Sequence, residues 1–488
     1  MSNEERWIRW LPLLAAVLCL VLALIGLGDR PLELDEAYSV TSTNQLWRSL
    51  QERSASMALY YILLTPWASL SIDPFWIRLP SALFAAAAVG VTVGFALRFF
   101  GRQVGIWTTL VILPIWGVTR FAQEARSYSM VMLLAVGSWW IFLRLVERDT
   151  VAGWIGWGAL GAAVIYSQPL GGLIIAAQML AAWLEHPQPQ VMMRRSAPGL
   201  IALSVLLLPM LATFGQGTGA APDWIEPLGV HSFASMVGVL AGPDGVLQIA
   251  LALVLVASTV RVATMVSRSV SPTPQRAWHL RCLLLWLWIT PAGLVLISLA
   301  EPMVRARYLI GVLPAAAIVV ALAITSIPAP THRFAAGLAA VAMLVPGHLA
   351  VQLYDGYPWK RAVTLIEEDL EPTTNHGVLF MATGSRHPFE LAAAGSGVLQ
   401  ETLPIRPVEP WGTNLRYFED HGMETIAERS EMVDVMWLVE QRVPLGRGQP
   451  RPAHWDDEEP LDHVGFCIDE IHQLHPELSV TRLTPCTR

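Results

Sequence analysis

Asp35 and Glu36 stand side by side a few residues after Trp10 to Leu27, an apolar run long enough to cross a bilayer as a helix. Carboxylates are costly to desolvate, so a pair beside apolar surface is either solvated in a loop or held there for chemistry. Two other segments carry the opposite charge. One is Arg120-Phe121-Ala122-Gln123-Glu124-Ala125-Arg126-Ser127-Tyr128, and the other is Glu301-Pro302-Met303-Val304-Arg305-Ala306-Arg307-Tyr308. In both, arginines precede an apolar helix, which brings guanidinium groups together with the free N–H groups of a helix start. That combination suits a phosphate. Arginines at such places also contact lipid headgroups, or pair with acids such as Glu124 and Glu301. Two such helix starts on the membrane face that bears the acidic pair favour the phosphate.

The elements that must position these groups are membrane spans. Of 488 residues, 54% are hydrophobic and 15% charged, which excludes a soluble globular or a disordered chain. A net charge of −7 offers no basic footprint for nucleic acid. Apolar windows predict about eleven spans, near 10–27, 79–98, 103–119, 128–145, 152–167, 169–184, 197–214, 244–260, 282–300, 308–327 and 334–352. The run Met57 to Trp67 is too short for a span and reads as an amphipathic helix in the interface, with Tyr60 and Tyr61 at headgroup level. Arginines are richer on the side that holds the N-terminus. The best example is the loop bearing Arg261, Arg268, Arg276 and Arg281, which has no acid. The expected orientation is therefore a cytoplasmic N-terminus in the cytoplasmic membrane, with the acidic pair and both Arg segments on the outer face. Glu4 and Glu5 precede the first run, which lacks a small-x-small cleavage site, so it does not read as a cleaved signal peptide. Phe214 to Asp223, rich in Gly and Pro, reads as an outer loop, either a connector or a cover over a pocket.

Apolar runs stop after about residue 352, giving an expected division into a membrane domain, 1–352, and a small extracytoplasmic α/β domain, 353–488. In the second, Pro358 to Glu367 reads as a helix, Gly377 to Ala382 and Asp434 to Val439 as strands, and Val464 to Ile468 as a lead into a helix after Asp469. That helix would carry His472 and His475 as solvated side chains, and His454 with Asp456 to Glu459 reads as a solvated acidic patch. Cys19 and Cys282 lie in apolar spans as small core residues. Cys467 and Cys486 are an even pair in an oxidising compartment, so a disulfide is expected, stabilising the tail by roughly 3 kcal/mol.

Asp35-Glu36-Ala37-Tyr38, the Tyr60-Tyr61 helix, Ile77-Arg78-Leu79-Pro80-Ser81, Gln123 to Tyr128 and Ala306-Arg307-Tyr308-Leu309 follow one another in an order that resembles the polytopic GT-C glycosyltransferases. The resemblance is to bacterial members similar to glycosyltransferase family 39 and the aminoarabinose transferase, and it covers most of residues 1–352. It implies a polyprenyl-phosphate sugar donor used at the outer face of the cytoplasmic membrane on a hydroxyl of a glycan, lipid or protein. It also implies Asp35 as the base that takes the acceptor's proton. Glu36 would orient Asp35, bind a sugar hydroxyl or share that role. Arg126 and Arg307, with Arg305 in reserve, would neutralise the departing phosphate. Tyr38, Tyr60, Tyr61, Glu124 and Tyr128 are candidate substrate contacts; Glu124 and Tyr128, if helical, share a face. One carboxylate on the acceptor side implies inversion. No cofactor is required. Some relatives use a divalent ion near these carboxylates, but the membrane part shows no His or Cys set with ligand spacing. One departure concerns the double-aromatic helix, which relatives often precede with Pro; here Ser56-Met57-Ala58-Leu59 stands there. Two alternatives are a flippase for a lipid-linked glycan and a glycan ligase or polymerase using a pyrophosphate-linked donor. The flippase would be expected to hold charge at the bilayer midplane or matching broken helices in two halves, and neither is evident.

Overall fold

A computed structural model describes residues 7–52, 56–186, 188–213, 225, 227–267, 274–381, 383–413, 423–441 and 465–486. In chain order the helices are α1 Leu11–Leu24, α2 Leu34–Asn44, α3 Leu46–Glu52, α4 Ala58–Ala68, α5 Pro74–Phe100, α6 Arg102–Ile112, α7 Trp116–Ala122, α8 Tyr128–Glu147, α9 Val151–Ser167, α10 Gly172–Glu185, α11 Pro189–Thr213, α12 Val230–Ala241, α13 Gly245–Ser267, α14 Pro274–Ser298, α15 Leu313–Thr325, α16 Pro330–Gln352 and α17 Trp359–Glu368. Then come β1 His376–Phe380, α18 Arg386–Ala392, α19 Val398–Glu401, β2 Thr402–Arg406, α20 Met423–Ser430, β3 Val435–Gln441, β4 Phe466–His475 and β5 Leu478–Pro485. A 3-10 turn, Ala306–Val312, runs directly into α15.

The chain divides into two compact units. The first comprises 1–27, 47–67 and 76–354; the second comprises 28–46, 68–75 and 355–488. Two segments read from the sequence as part of the membrane domain, one of them bearing α2, thus group with the C-terminal residues.

Among the described residues of the first unit the regular elements are all helices, as backbone in lipid requires. Among the described residues, seven helices are long and apolar enough to cross a membrane, or eight if α6 and α7 count as one broken span. Every expected span falls on a helix, but α1, with 14 residues, rises only about 21 Å against a hydrocarbon core of about 30 Å. The α6–α7 pair bends by 62° at Leu113-Pro114-Ile115. Pro114 explains the bend, since it lacks an N–H and its ring clashes with the preceding turn. Helices approach closely where side chains are absent. A Cβ on Gly158 of α9 would sit 2.0 Å from the Gly199 carbonyl oxygen of α11. Large aromatics fill the middle, with Trp139 and Trp286 stacked at 5.4 Å.

The second unit is built on a five-stranded sheet of order β2-β1-β3-β5-β4. β1 pairs parallel with β2 and β3, whereas β5 pairs antiparallel with β3 and β4. Alternation sets the two faces. Val378, Phe380, Trp437 and Val439 pack with Trp359, Ala362, Val363 and Ile366 of α17, whose spacing makes one helical face. Leu379, Met436 and Leu438 pack with Ile405, Ile426 and Leu483 on the other side.

Two sequence expectations are corrected here. Residues after Asp469 form no helix: β4 continues to His475, turns at Pro476-Glu477 and returns as β5. β4 is an edge strand whose residues from Cys467 to Ile471 are exposed in succession, so its sequence has no two-residue alternation to tell it from a surface helix. Its two histidines are not solvated helix residues. His472 stacks on Trp437, and His475 packs edge-on to Tyr357. Nor do Tyr60 and Tyr61 face headgroups, since both are buried and Ile62 and Leu63 take the exposed side of α4. A disulfide joins Cys467 to Cys486, with Cα atoms 5.0 Å apart. The expected outer loop at 214–223, the His454 acidic patch and Arg268 lie outside the described residues.

Candidate active site

In the helical unit the candidate residues gather around the turn between α7 and α8. The polypeptide leaves α7 at Ala122, passes Gln123 to Ser127 without helical structure, and re-enters a helix at Tyr128. Glu124 and Tyr128 therefore do not share a helical face, because the first lies in the turn. Gln123, Glu124 and Arg126 are all buried.

Polar anchors set this turn in place. The Gln123 amide donates to the carbonyls of Ala23, in the last turn of α1, and Ile25, just past its end, at 3.1 and 2.7 Å. Arg78 is also buried and donates to the Leu27 carbonyl at 2.9 Å. Ser127 donates to the Ser167 carbonyl, and Ser129 to that of Phe121, both at 2.7 Å. The Ser81 hydroxyl donates to the Arg126 carbonyl at 3.2 Å and lies 3.1 Å from the Tyr60 hydroxyl. A hydroxyl has one proton, so Ser81 receives the hydrogen of Tyr60. Tyr60, Ser81 and Arg126 thus form one chain of bonds, and Tyr61 turns its hydroxyl to the Met57 sulfur at 3.5 Å. The Arg126 guanidinium lies 5.9 Å from the centre of the Tyr128 ring, at the first residue of α8. Glu124 is paired with Arg120 at 3.6 Å, so the acid-pairing reading of the sequence holds for Arg120.

The second Arg segment enters the 3-10 turn directly, with Arg305 at its cap and Arg307 in its first turn. Its start is fixed by the Ser235 hydroxyl of α12, which accepts the Ala306 N–H at 3.2 Å. Its end is fixed by Trp286, which donates to the Gly311 carbonyl at 2.9 Å. The turn packs on α8 and α12.

In the second unit, Asp35, Glu36 and Tyr38 share α2. Asp35 is half-buried in the first turn, where the helix end favours negative charge. Glu36 is buried and closes a capping box: its carboxylate accepts the Glu33 N–H at 3.0 Å, while the Glu33 side chain accepts the Glu36 N–H. Near the cap, the Tyr357 hydroxyl bonds to Glu477. Burial, that bond and the nearby Glu477 and Glu33 charges push its pKa upward. Tyr38 and Thr41 face α18 through His387.

The sequence motifs mix two kinds of residue. Arg78, Ser81, Gln123 and Ser127 are anchors, and His387 was missed because the residues it meets lie some 350 positions away in the chain. Among the described residues, no three His, Cys, Asp or Glu side chains gather as a metal set.

No family model matches the sequence, and no curated protein is similar to it. Solved structures are another matter. ArnT from Cupriavidus metallidurans in the apo state superposes with a TM-score of 0.60 over 99% of this chain and 98% of its own, at 14% identity. The same protein bound to undecaprenyl phosphate gives 0.57 over 96% and 97%, at 15% identity. The apo oligosaccharyltransferase of Archaeoglobus fulgidus gives 0.58 over 90% of this chain and 70% of that one, at 12% identity. The chain has the GT-C fold. A GT-C chain is a multi-pass membrane protein, in keeping with the long apolar helices of the first unit.

Proposed function

We propose that this chain is a glycosyltransferase that moves a sugar from a polyprenyl-phosphate donor to an acceptor hydroxyl, with inversion, at the outer face of the cytoplasmic membrane. The observation that carries the reading is Arg126. It is a buried guanidinium beside the N-terminus of α8, held at its backbone by Ser81 and Tyr60, in a chain with the GT-C fold. A structural neighbour of this fold has been solved with undecaprenyl phosphate, which supports a lipid phosphate as the donor's leaving group.

In this mechanism Arg126 and Arg307, with Arg305 in support, stabilise the charge that grows on the phosphate as the bond to the anomeric carbon breaks. Fixed guanidinium groups and helix N–H groups do so without reorganising at the moment of reaction. Asp35 accepts the proton of the attacking hydroxyl, and the new glycosidic bond forms on the face opposite the departing phosphate. Glu36 acts through the helix cap, holding the first turn of α2 and hence Asp35. Tyr38, Tyr60, Tyr61, Glu124 and Tyr128 remain proposed substrate contacts, the tyrosines by ring surface and hydroxyl.

A deletion strain tests the reading. Its lipid extract is expected to accumulate one polyprenyl-phosphate sugar while one envelope glycan, lipid or protein loses that sugar, and the complemented strain to reverse both. Unchanged lipid-linked sugars and unchanged envelope glycans would overturn it. Donor trapped on the inner leaflet would assign the chain to transport instead.

A further inference from the structure

We propose that the segment Gly384 to His387 sets the position of α2, and that His387 is a positioning residue for the Asp35 carboxylate. The proposal rests on Asp35 being the base. Each of the four consecutive residues makes its own attachment, all within the second unit. A Cβ on Gly384 would come 2.6 Å from the Tyr38 hydroxyl oxygen and 3.3 Å from Cδ1 of Leu34, so the backbone there is pressed against α2. Buried Ser385 reaches Gln441, the last residue of β3, at 3.1 Å. Arg386 is wholly buried. It donates to Glu390 and to the carbonyls of Pro407, Glu409 and Pro410 at 2.7 to 2.9 Å, with its guanidinium over the Trp411 ring. His387, also buried, brings Nδ1 to 3.4 Å from the Thr41 hydroxyl and sets its ring edge-on to Tyr38, centroids 5.0 Å apart.

The segment is thus fastened to β3 and to the loop after β2 on one side, and to α2 on the other. Leu34, Tyr38 and Thr41, at positions i, i+4 and i+7, form the face of α2 that it touches, and Asp35, one residue on from Leu34 and about 100° round the helix, is placed through the helix and not by direct contact. An isolated helix of eleven residues has little stability of its own, so packing decides where it lies. The tautomer follows from proton counting. Thr41 already donates its only hydroxyl proton to the Ala37 carbonyl at 3.0 Å, so it receives a hydrogen from Nδ1 of His387. A base must reach its proton to within a few tenths of an ångström, and a displacement of about 1 Å can cost about a hundredfold in rate.

The test uses full-length chains expressed in the deletion strain at equal membrane level. The readout is the rate at which the lost envelope glycan returns, together with hydrogen exchange of residues 34–44 in the purified protein. His387→Phe keeps the ring but loses the donor, and Thr41→Val loses the acceptor. Each is expected to slow the return roughly tenfold or more and to speed exchange in α2. His387→Asn, whose amide can donate from nearly the same place, should recover most of the rate. The double variant should be no slower than the slower single one, as for two residues acting through one bond. Gly384→Ala should give the same phenotype without touching the imidazole. Wild-type rates for His387→Phe and Gly384→Ala beside a dead Asp35→Asn would overturn the positioning role and leave the base in place. A rate that falls in His387→Phe with no change in α2 exchange and no recovery in His387→Asn would also overturn it. A normal rate in Asp35→Asn would instead remove the base on which the proposal rests.

Discussion

Two adjacent carboxylates on α2 are separated by what their oxygens do. Glu36 closes a cap on the Glu33 N–H, so Glu36→Ala should cost about 1 kcal/mol in stability, and Glu36→Gln, which keeps an acceptor, should cost less and keep most of the activity. Asp35 has no part in that cap. Asp35→Asn should preserve the melting temperature and lower transfer by about two to four orders of magnitude, measured as product formed per mole of purified protein. The opposite ranking would exchange the two roles. The arginines separate in the same way. If Arg126 and Arg307 meet the leaving phosphate, replacement by Ala should reduce turnover by a larger factor than it weakens donor affinity, because the charge grows in the transition state. Lys should restore only part of the loss, since an ammonium cannot form the two-pronged bond. Near-normal turnover in both Lys variants would favour headgroup anchoring.

Helices of the membrane part were legible in the sequence as apolar windows, and so were α17, β1 and β3 as short periodic runs. What could not be read depended on partners outside the local window. β4 is a strand because β5 supplies its hydrogen bonds, and no pattern within residues 469–475 shows that. The burial of Tyr60 and Tyr61 follows from packing on other helices, which composition does not contain. Within the site, residue types at fixed spacing pointed to Asp35 and Arg126, yet could not show that Gln123 and Ser81 work as anchors. Small residues tell a similar story. Gly156 and Gly158 lie two apart on α9 and look interchangeable in sequence. A Cβ on Gly156 meets nothing within 4 Å, whereas one on Gly158 meets the Gly199 backbone. Gly158→Ala should therefore force α9 and α11 apart, with a cost of about 1–3 kcal/mol seen as a lower melting temperature in detergent. Gly156→Ala should be neutral or slightly stabilising. Equal melting temperatures in the two variants would mean that the α9–α11 approach is looser than the geometry indicates.

At the level of the whole molecule, orientation and redox chemistry are linked. Seven or eight long spans can be counted among the described residues, and three shorter apolar helices coincide with the other expected ones, so span parity alone does not place the ends. In the proposed orientation the Arg-rich loops would lie in the cytoplasm with the N-terminus, and eleven spans would put the sheet-containing part outside. The Cys467–Cys486 disulfide provides an independent line, because such a bond persists in an oxidising compartment and is rare in the cytoplasm. The proposed orientation therefore makes two predictions. A fluorescent reporter that matures only in the cytoplasm, fused after Arg488, should stay dark. Non-reducing mass mapping of the protein from intact cells should find Cys467 joined to Cys486, while Cys19 and Cys282, buried in apolar helices, stay free. Replacing Cys467 and Cys486 with Ser should lower the stability of the β4–β5 hairpin by roughly 3 kcal/mol, visible as faster exchange of its amides. A bright fusion with both thiols free would invert the chain, put Asp35 on the cytoplasmic side and remove the outer-face reaction. A dark fusion with free thiols would keep the orientation and show that the hairpin is held by its strand pairing alone.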